Sequence, residues 1–83
     1  MDIPDGWTLA DDDQLLIRRF TFGSFGETIA FCTRVAMHAE KVDHHPEIRI
    51  TYGSAEFRLS SHDTGGVTER DVRLAEAIGR MAE

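Results

Sequence analysis

From Glu47 to Ser60 apolar and polar residues alternate in two runs, broken only at Gly53-Ser54. Ile48, Ile50 and Tyr52 alternate with Glu47, Arg49 and Thr51, and Ala55, Phe57 and Leu59 alternate with Glu56, Arg58 and Ser60. A period of two puts each apolar set on one face of a strand. A two-residue loop opening with glycine predicts a type II′ hairpin. In that register Ile48 faces Leu59, Ile50 faces Phe57 and Tyr52 faces Ala55, all on the core side. An isolated hairpin is barely stable in water, so the rest of the chain must supply more strands and a cover for this apolar face.

The preceding residues supply both. Trp7-Thr8-Leu9-Ala10 reads as a short strand, and Asp11-Asp12-Asp13 as a turn, because Asp side chains bond their own backbone there. Gln14 to Phe22 alternates, with Leu16, Phe20 and Phe22 on one face and Leu15 and Ile17 on the other. This predicts a second strand whose start is partly covered on both sides. After Gly23, Ser24 and Glu27 have capping-box spacing and should open a helix. Phe25, Ile29, Cys32, Ala36 and Ala39 form its expected stripe, widened by Phe31, Val35 and Val42, enough to meet both a sheet and a partner helix. Pro46 disfavours helix at His45, so the helix must end by about His44. Beyond the hairpin, Asp63-Thr64-Gly65-Gly66 is a loop. Thr68 with Asp71 caps a second helix, on which Leu74, Ala75, Ile78 and Met81 are the buried stripe. The expected fold is α+β, in the order β-β-α-β-β-α: a four-stranded antiparallel sheet with two helices packed on one face, in a single domain spanning 1–83.

Charge and composition exclude several functions. A net charge of −6 argues against nucleic acid or an anionic membrane as partner, since phosphate binding needs clustered Lys and Arg. The single Cys32 has no internal disulfide partner and falls at an apolar helical position, where burial raises a thiol's pKa, so it reads as core. No apolar run approaches the ~18–20 residues of a membrane span, and Met1-Asp2-Ile3-Pro4-Asp5 lacks the basic start of a signal peptide. A cytoplasmic protein is expected. A chain this short hides only roughly 60–65% of its unfolded surface, so association into oligomers is expected to stabilise it.

The chemistry is concentrated around the hairpin's open end. Of four histidines, three lie in Glu40–Glu47 and Ser60–Asp63, beside the carboxylates of Glu40, Asp43, Glu47 and Asp63. Histidine is the side chain suited to moving protons near neutral pH. Glu40 and His44, four apart, should neighbour each other on the last helical turn, where the carboxylate and the helix dipole both favour the imidazolium. Extending the hairpin count brings His45 opposite His62, so that three imidazoles converge. Taken singly, His44 fits an ordinary helix cap with a surface ion pair worth under ~1 kcal/mol; the convergence is what packing does not explain. Zinc could be held by three His with Glu40, Asp43 or Asp63, but no second ligand pair has the usual spacing, and no metal is expected. Ser60 and Ser61 beside His62 lack a nucleophile elbow, and Gly65-Gly66 is too short for a phosphate cradle. His38 reads as a helix-surface residue.

Ala39-Glu40-Lys41-Val42-Asp43-His44-His45-Pro46-Glu47, Tyr52, Leu59-Ser60-Ser61-His62-Asp63 and Leu74-Ala75 together resemble the pterin-4a-carbinolamine dehydratases, as do Phe31–Ala36 and Val67–Asp71. The resemblance runs from Trp7 to the C-terminus. It implies a hydro-lyase that removes water from a 4a-hydroxytetrahydropterin to give quinonoid dihydropterin, in tetrahydrobiopterin recycling. It also implies His44, His45 and His62 in acid–base and pterin-contacting roles, Glu40 and Asp43 orienting the histidines, and Ser60 and Asp71 lining the pocket. No cofactor or metal is implied; the pterin is the substrate, and a homodimer or homotetramer is the expected state. Where the family usually carries Trp, two residues after the proline, this chain has Ile48, which implies weaker stacking on a flat ring. The alternative is the same fold used as a dimerisation or binding module with little turnover. The histidine triad favours the enzyme. Ile48, and the lack ahead of Trp7 of a helix the family carries, favour the module.

Overall fold

The computed structural model describes residues 2–61, 63 and 65–83. Its elements are β1 (Thr8–Ala10), β2 (Leu15–Thr21), α1 (Phe25–Val42), β3 (Glu47–Ile50), β4 (Ser54–Leu59) and α2 (Glu69–Met81). The strands form one antiparallel sheet in the order β1-β2-β4-β3. The expected α+β order is therefore present. The β1–β2 turn depends on its three aspartates, since Asp11, Asp12 and Asp13 all adopt positive φ (53°, 54° and 67°), a region that Asp tolerates better than most residues.

One sheet face carries the core. Leu16, Ala55, Phe57 and Leu59 are essentially inaccessible and share a cluster with Phe31, Cys32 and Val35 of α1 and Val72, Leu74, Ala75 and Ile78 of α2. Both helices thus cover the same face. Phe31 is the hub, with ring centroids 5.2 Å from Phe20, 5.3 Å from Phe22 and 5.8 Å from Phe57, offset geometries that aromatic pairs prefer. Among the described residues, the other face has no such cover. It carries Glu47, Arg49, Glu56 and Arg58, linked by ion pairs of 2.9–4.0 Å.

The hairpin register differs from the expected one by two residues. Ile48 pairs with Phe57 and Ile50 with Ala55, so the turn is Tyr52-Gly53 and Ser54 already belongs to β4. Neither turn residue has positive φ, which rules out type II′. The cause lies outside the hairpin. β4 is a central strand, and β2 extends its own pairing as far as Thr21 with Ser54, while Phe22 N–H donates to Gly53 O at 2.8 Å. Ser54 is consequently buried, its hydroxyl 2.7 Å from that of Thr51. A shift of two preserves the faces, so the Ile48–Phe57 side remains the core side. It moves Tyr52 into the turn, 83% exposed, and leaves Ile50 at the sheet edge, 43% exposed, rather than in the core.

The buried stripe of α1 is also rotated from expectation. Thr28, Phe31, Cys32, Val35 and Ala39 are buried, whereas Phe25, Ile29, Ala36 and Val42 face out. Thr28 was invisible as a core residue because it is polar. Its hydroxyl donates to Ser24 O at 2.8 Å, which makes burial affordable. At the start of α1, Glu27 N–H donates to Ser24 Oγ at 3.1 Å, but the reciprocal bond of a capping box is not made among the described residues. On α2, Leu74, Ala75 and Ile78 are buried as expected, with Met81 partly so and Asp71 fully so.

Candidate active site

The site begins where α1 stops. Asp43 takes the left-handed conformation (φ 54°, ψ 44°) and its N–H bonds back to Ala39 O and Glu40 O. His44 N–H donates to Ala39 O at 3.1 Å, closing the end of the helix as in a Schellman motif. The chain then runs straight through His45 and Pro46 into β3. Successive residues of an extended segment point to opposite sides, and the two histidines do. His44 turns inward, its side chain 14% exposed, while His45 turns outward at 58%.

Each ring is held by a carboxylate, but not in the expected pairing. His44 does not meet Glu40. Its Nε2 lies 2.6 Å from Oδ1 of Asp71 on α2, and His45 Nε2 lies 2.7 Å from Glu40 Oε1. The reason is the left-handed residue at Asp43. A continuing helix would have stacked His44 over Glu40; the reversal swings His44 towards α2 and leaves the next imidazole to take Glu40.

Asp71 is the anchor. It is fully buried, and its Oδ2 accepts from Ser61 Oγ at 2.7 Å and from Thr68 N–H at 2.9 Å. One carboxylate therefore caps α2, ties down the segment after β4 and faces His44. Ser61 is itself buried, 2.9 Å from Thr68 Oγ1, and its backbone pairs with Gly66. A buried carboxylate is tolerable only with such partners. Asp71 had been expected to line a pocket; it instead lies beneath His44. Two sequence signals pointed to it, the Thr68–Asp71 cap spacing and the family resemblance. Ser61 left no signal that distinguished it from Ser60.

The two histidines open on a cleft of about 260 Å³, lined also by Asp43, Ser60, Ser61, Asp63 and Arg70. Arg70 closes one side, with Nη2 2.5 Å from Asp63 Oδ1; sequence reasoning had not singled it out. His62 lies outside the described residues. Its expected place opposite His45 therefore lies outside them as well. Ile48 does not line the cleft, because the alternation of β3 turns it onto the core beside Phe57. Among the described residues no group of three or more His, Cys, Asp or Glu is placed to hold a metal ion. No described helix is long and apolar enough to cross a membrane. Cys32 is buried, which pushes its thiol pKa up and makes it a poor nucleophile.

A small α+β sheet-and-helix scaffold carrying a carboxylate-backed histidine pair at the end of its first helix defines a class of protein suited to proton transfer on a small molecule. Residues 1–81 match the model of the family described as pterin 4 alpha carbinolamine dehydratase, and the chain belongs to that family. Proteins provisionally named as pterin-4-alpha-carbinolamine dehydratases resemble it closely. That of Nitrobacter winogradskyi is 51% identical over 93% of this chain and 76% of its own length, and that of Rhizorhabdus wittichii is 46% identical over 98% and 82%. Among solved structures, a transcriptional coactivator/pterin dehydratase from Brucella melitensis superposes with a TM-score of 0.89 at 35% identity, over 95% of this chain and 84% of that one. A pterin dehydratase-like protein described as a RuBisCO assembly factor of the alpha-carboxysome shares the fold, with a TM-score of 0.80 at 24% identity over 93% and 89%.

Proposed function

We propose that this chain is a hydro-lyase that dehydrates 4a-hydroxytetrahydropterin to quinonoid dihydropterin, serving the recycling of tetrahydrobiopterin in the cytoplasm. The observation that carries the proposal is the His44–Asp71 dyad opening on the histidine cleft. Loss of water breaks the C4a–O bond, delivers a proton to the departing hydroxyl and removes one from N5, leaving a C4a=N5 double bond. Two proton-transfer groups suffice, and positioned imidazoles supply them, at a typical gain of about 10²–10⁴-fold. Asp71 and Glu40 each engage the Nε2 of one ring. That leaves Nδ1 of His44 and of His45 as the nitrogens that exchange protons with the substrate, and fixes each tautomer as a triad aspartate does. His62 is the third imidazole of the proposal, and Asp43 and Ser60 contact the pterin. The cleft, at about 260 Å³, is just below the roughly 300 Å³ lower end of small-molecule sites, so it suits a small ligand.

The test is stopped-flow dehydration of synthetic 4a-hydroxytetrahydropterin by wild type and by His44→Ala, His45→Ala and His62→Ala. Wild-type turnover above the buffer-catalysed background, lost in the variants, is the expected result; a rate equal to background overturns the proposal.

A second reading, a dimerisation or binding module of the same fold, is favoured by the large apolar side chains left in the open: Phe25 at 56%, Met37 at 70% and Val42 at 48% exposure. The Brucella relative is named both transcriptional coactivator and pterin dehydratase. A homo-oligomer that covers α1 satisfies either reading, and gel filtration tests it, since a strict monomer would contradict it.

A further inference from the structure

A groove of about 270 Å³, lined by α1 and α2, shares His44 and Arg70 with the histidine cleft. Its polar lining is His38 and His44 from α1 and the segment after it, and Arg70, Arg73 and Arg80 from α2. Positions 70, 73 and 80 fall on one helical face, and His38 stands across from them. No acidic side chain lines the groove. The chain as a whole has 15 Asp and Glu against nine Lys and Arg, so three of those nine cations meet here without a carboxylate between them.

Arg70 is paired with Asp63, which lies in the histidine cleft. Arg73 and Arg80 make no ion pair or side-chain hydrogen bond among the described residues. Like charges stacked along one helix face repel, and an anion between them would reverse the sign of that interaction. His44 and Arg70 line both compartments, so cleft and groove adjoin at these two side chains.

We propose that the groove is a subsite for a phosphate ester on the substituent of a pterin, so that a phosphorylated pterin binds more tightly than its neutral parent. The proposal rests on the reading of the cleft as a pterin site. Two unpaired guanidinium forks match the oxygens and double charge of a phosphate monoester better than a single carboxylate. The net negative charge elsewhere disfavours a nucleic acid strand or an anionic membrane as the source of the phosphate.

The test is calorimetric titration, at low ionic strength, of a neutral hydroxyalkyl 7,8-dihydropterin and of its phosphate monoester. Each is titrated into wild type and into the Arg73→Gln/Arg80→Gln double variant, with a thermal melt to confirm folding. Wild type is expected to bind the ester at least about tenfold tighter, the worth of one charge-assisted contact. In the double variant that ratio should fall to about one. Inorganic phosphate alone should shift the Nε–Hε NMR signals of Arg73 and Arg80. Equal affinities with turnover of the neutral pterin intact overturn the subsite and leave the proposed function standing. A ratio that survives in the double variant, or phosphate that shifts neither arginine, also overturns it. If neither pterin binds, the proposed function falls and the subsite with it.

Discussion

Asp71 Oδ1 lies 2.6 Å from His44 Nε2, while its Oδ2 holds Ser61 and the first turn of α2. The same carboxylate is thus a fold element and a site element. Asp71→Asn keeps the volume; its amide oxygen must stay on Ser61 and the Thr68 N–H, which both donate to it, so its NH2 faces Nε2 of His44 and forces the other tautomer. Dehydration is expected to slow by about 10²-fold or more, with a smaller loss of stability than Asp71→Ala causes. Asp71→Ala strands Ser61, His44 and the Thr68 N–H together and should cost about 3–5 kcal/mol by urea denaturation. An Asp71→Asn variant as fast as wild type would remove the dyad from the mechanism.

Ser61 contributes through Asp71 and does not need to touch the substrate. Ser61→Ala removes a buried hydrogen bond to a charged acceptor, worth about 1.5–3 kcal/mol. The expected signature is a lowered denaturation midpoint with the denaturant slope unchanged. Ser60→Ala, one residue away and only partly buried, should fall within about 0.5 kcal/mol of wild type.

Glu47 links the open face of the sheet. The hydrogen bond from Arg49 is the largest influence on its carboxyl; desolvation opposes it, and the charges of Arg49 and Arg58 with the Arg58 hydrogen bond leave the carboxyl below the ordinary value of 4.5. Because the folded-state value is depressed, the stabilisation is present above the unfolded pKa and is lost as pH falls through the folded one. Glu47→Gln should therefore be the less stable protein at pH 6, and the gap should close below pH ~4.5. Chemical denaturation of both proteins between pH 6 and pH ~3 checks this. A gap that widens on acidification would contradict it.

Cys32 faces the core beside Phe31 and Val35, and burial raises its thiol pKa. Reaction with a disulfide reagent at pH 8 should follow the opening of the fold. The rate is expected to rise steeply with urea below the unfolding midpoint. Fast, urea-independent labelling would place the thiol at the surface.

The local patterns in the chain were enough to determine its elements. Alternation at Glu47–Ser60 settled two strands, Pro46 bounded α1, and Thr68 with Asp71 opened α2, because those signals act over a few residues of backbone. The histidines were legible as a cluster for the same reason, since Pro46 had to bring His44 and His45 to a helix end. What the tertiary structure alone decided is which groups touch. Register in a hairpin depends on the strand that lies beside it, and β2 drew Ser54 into the sheet and moved every pair by two. The partner of His44 depends on where α2 docks, and docking is a property of the whole core. Glu40, one helical turn back along the chain, was the carboxylate that local geometry offered; Asp71, 27 positions away, is the one that His44 meets.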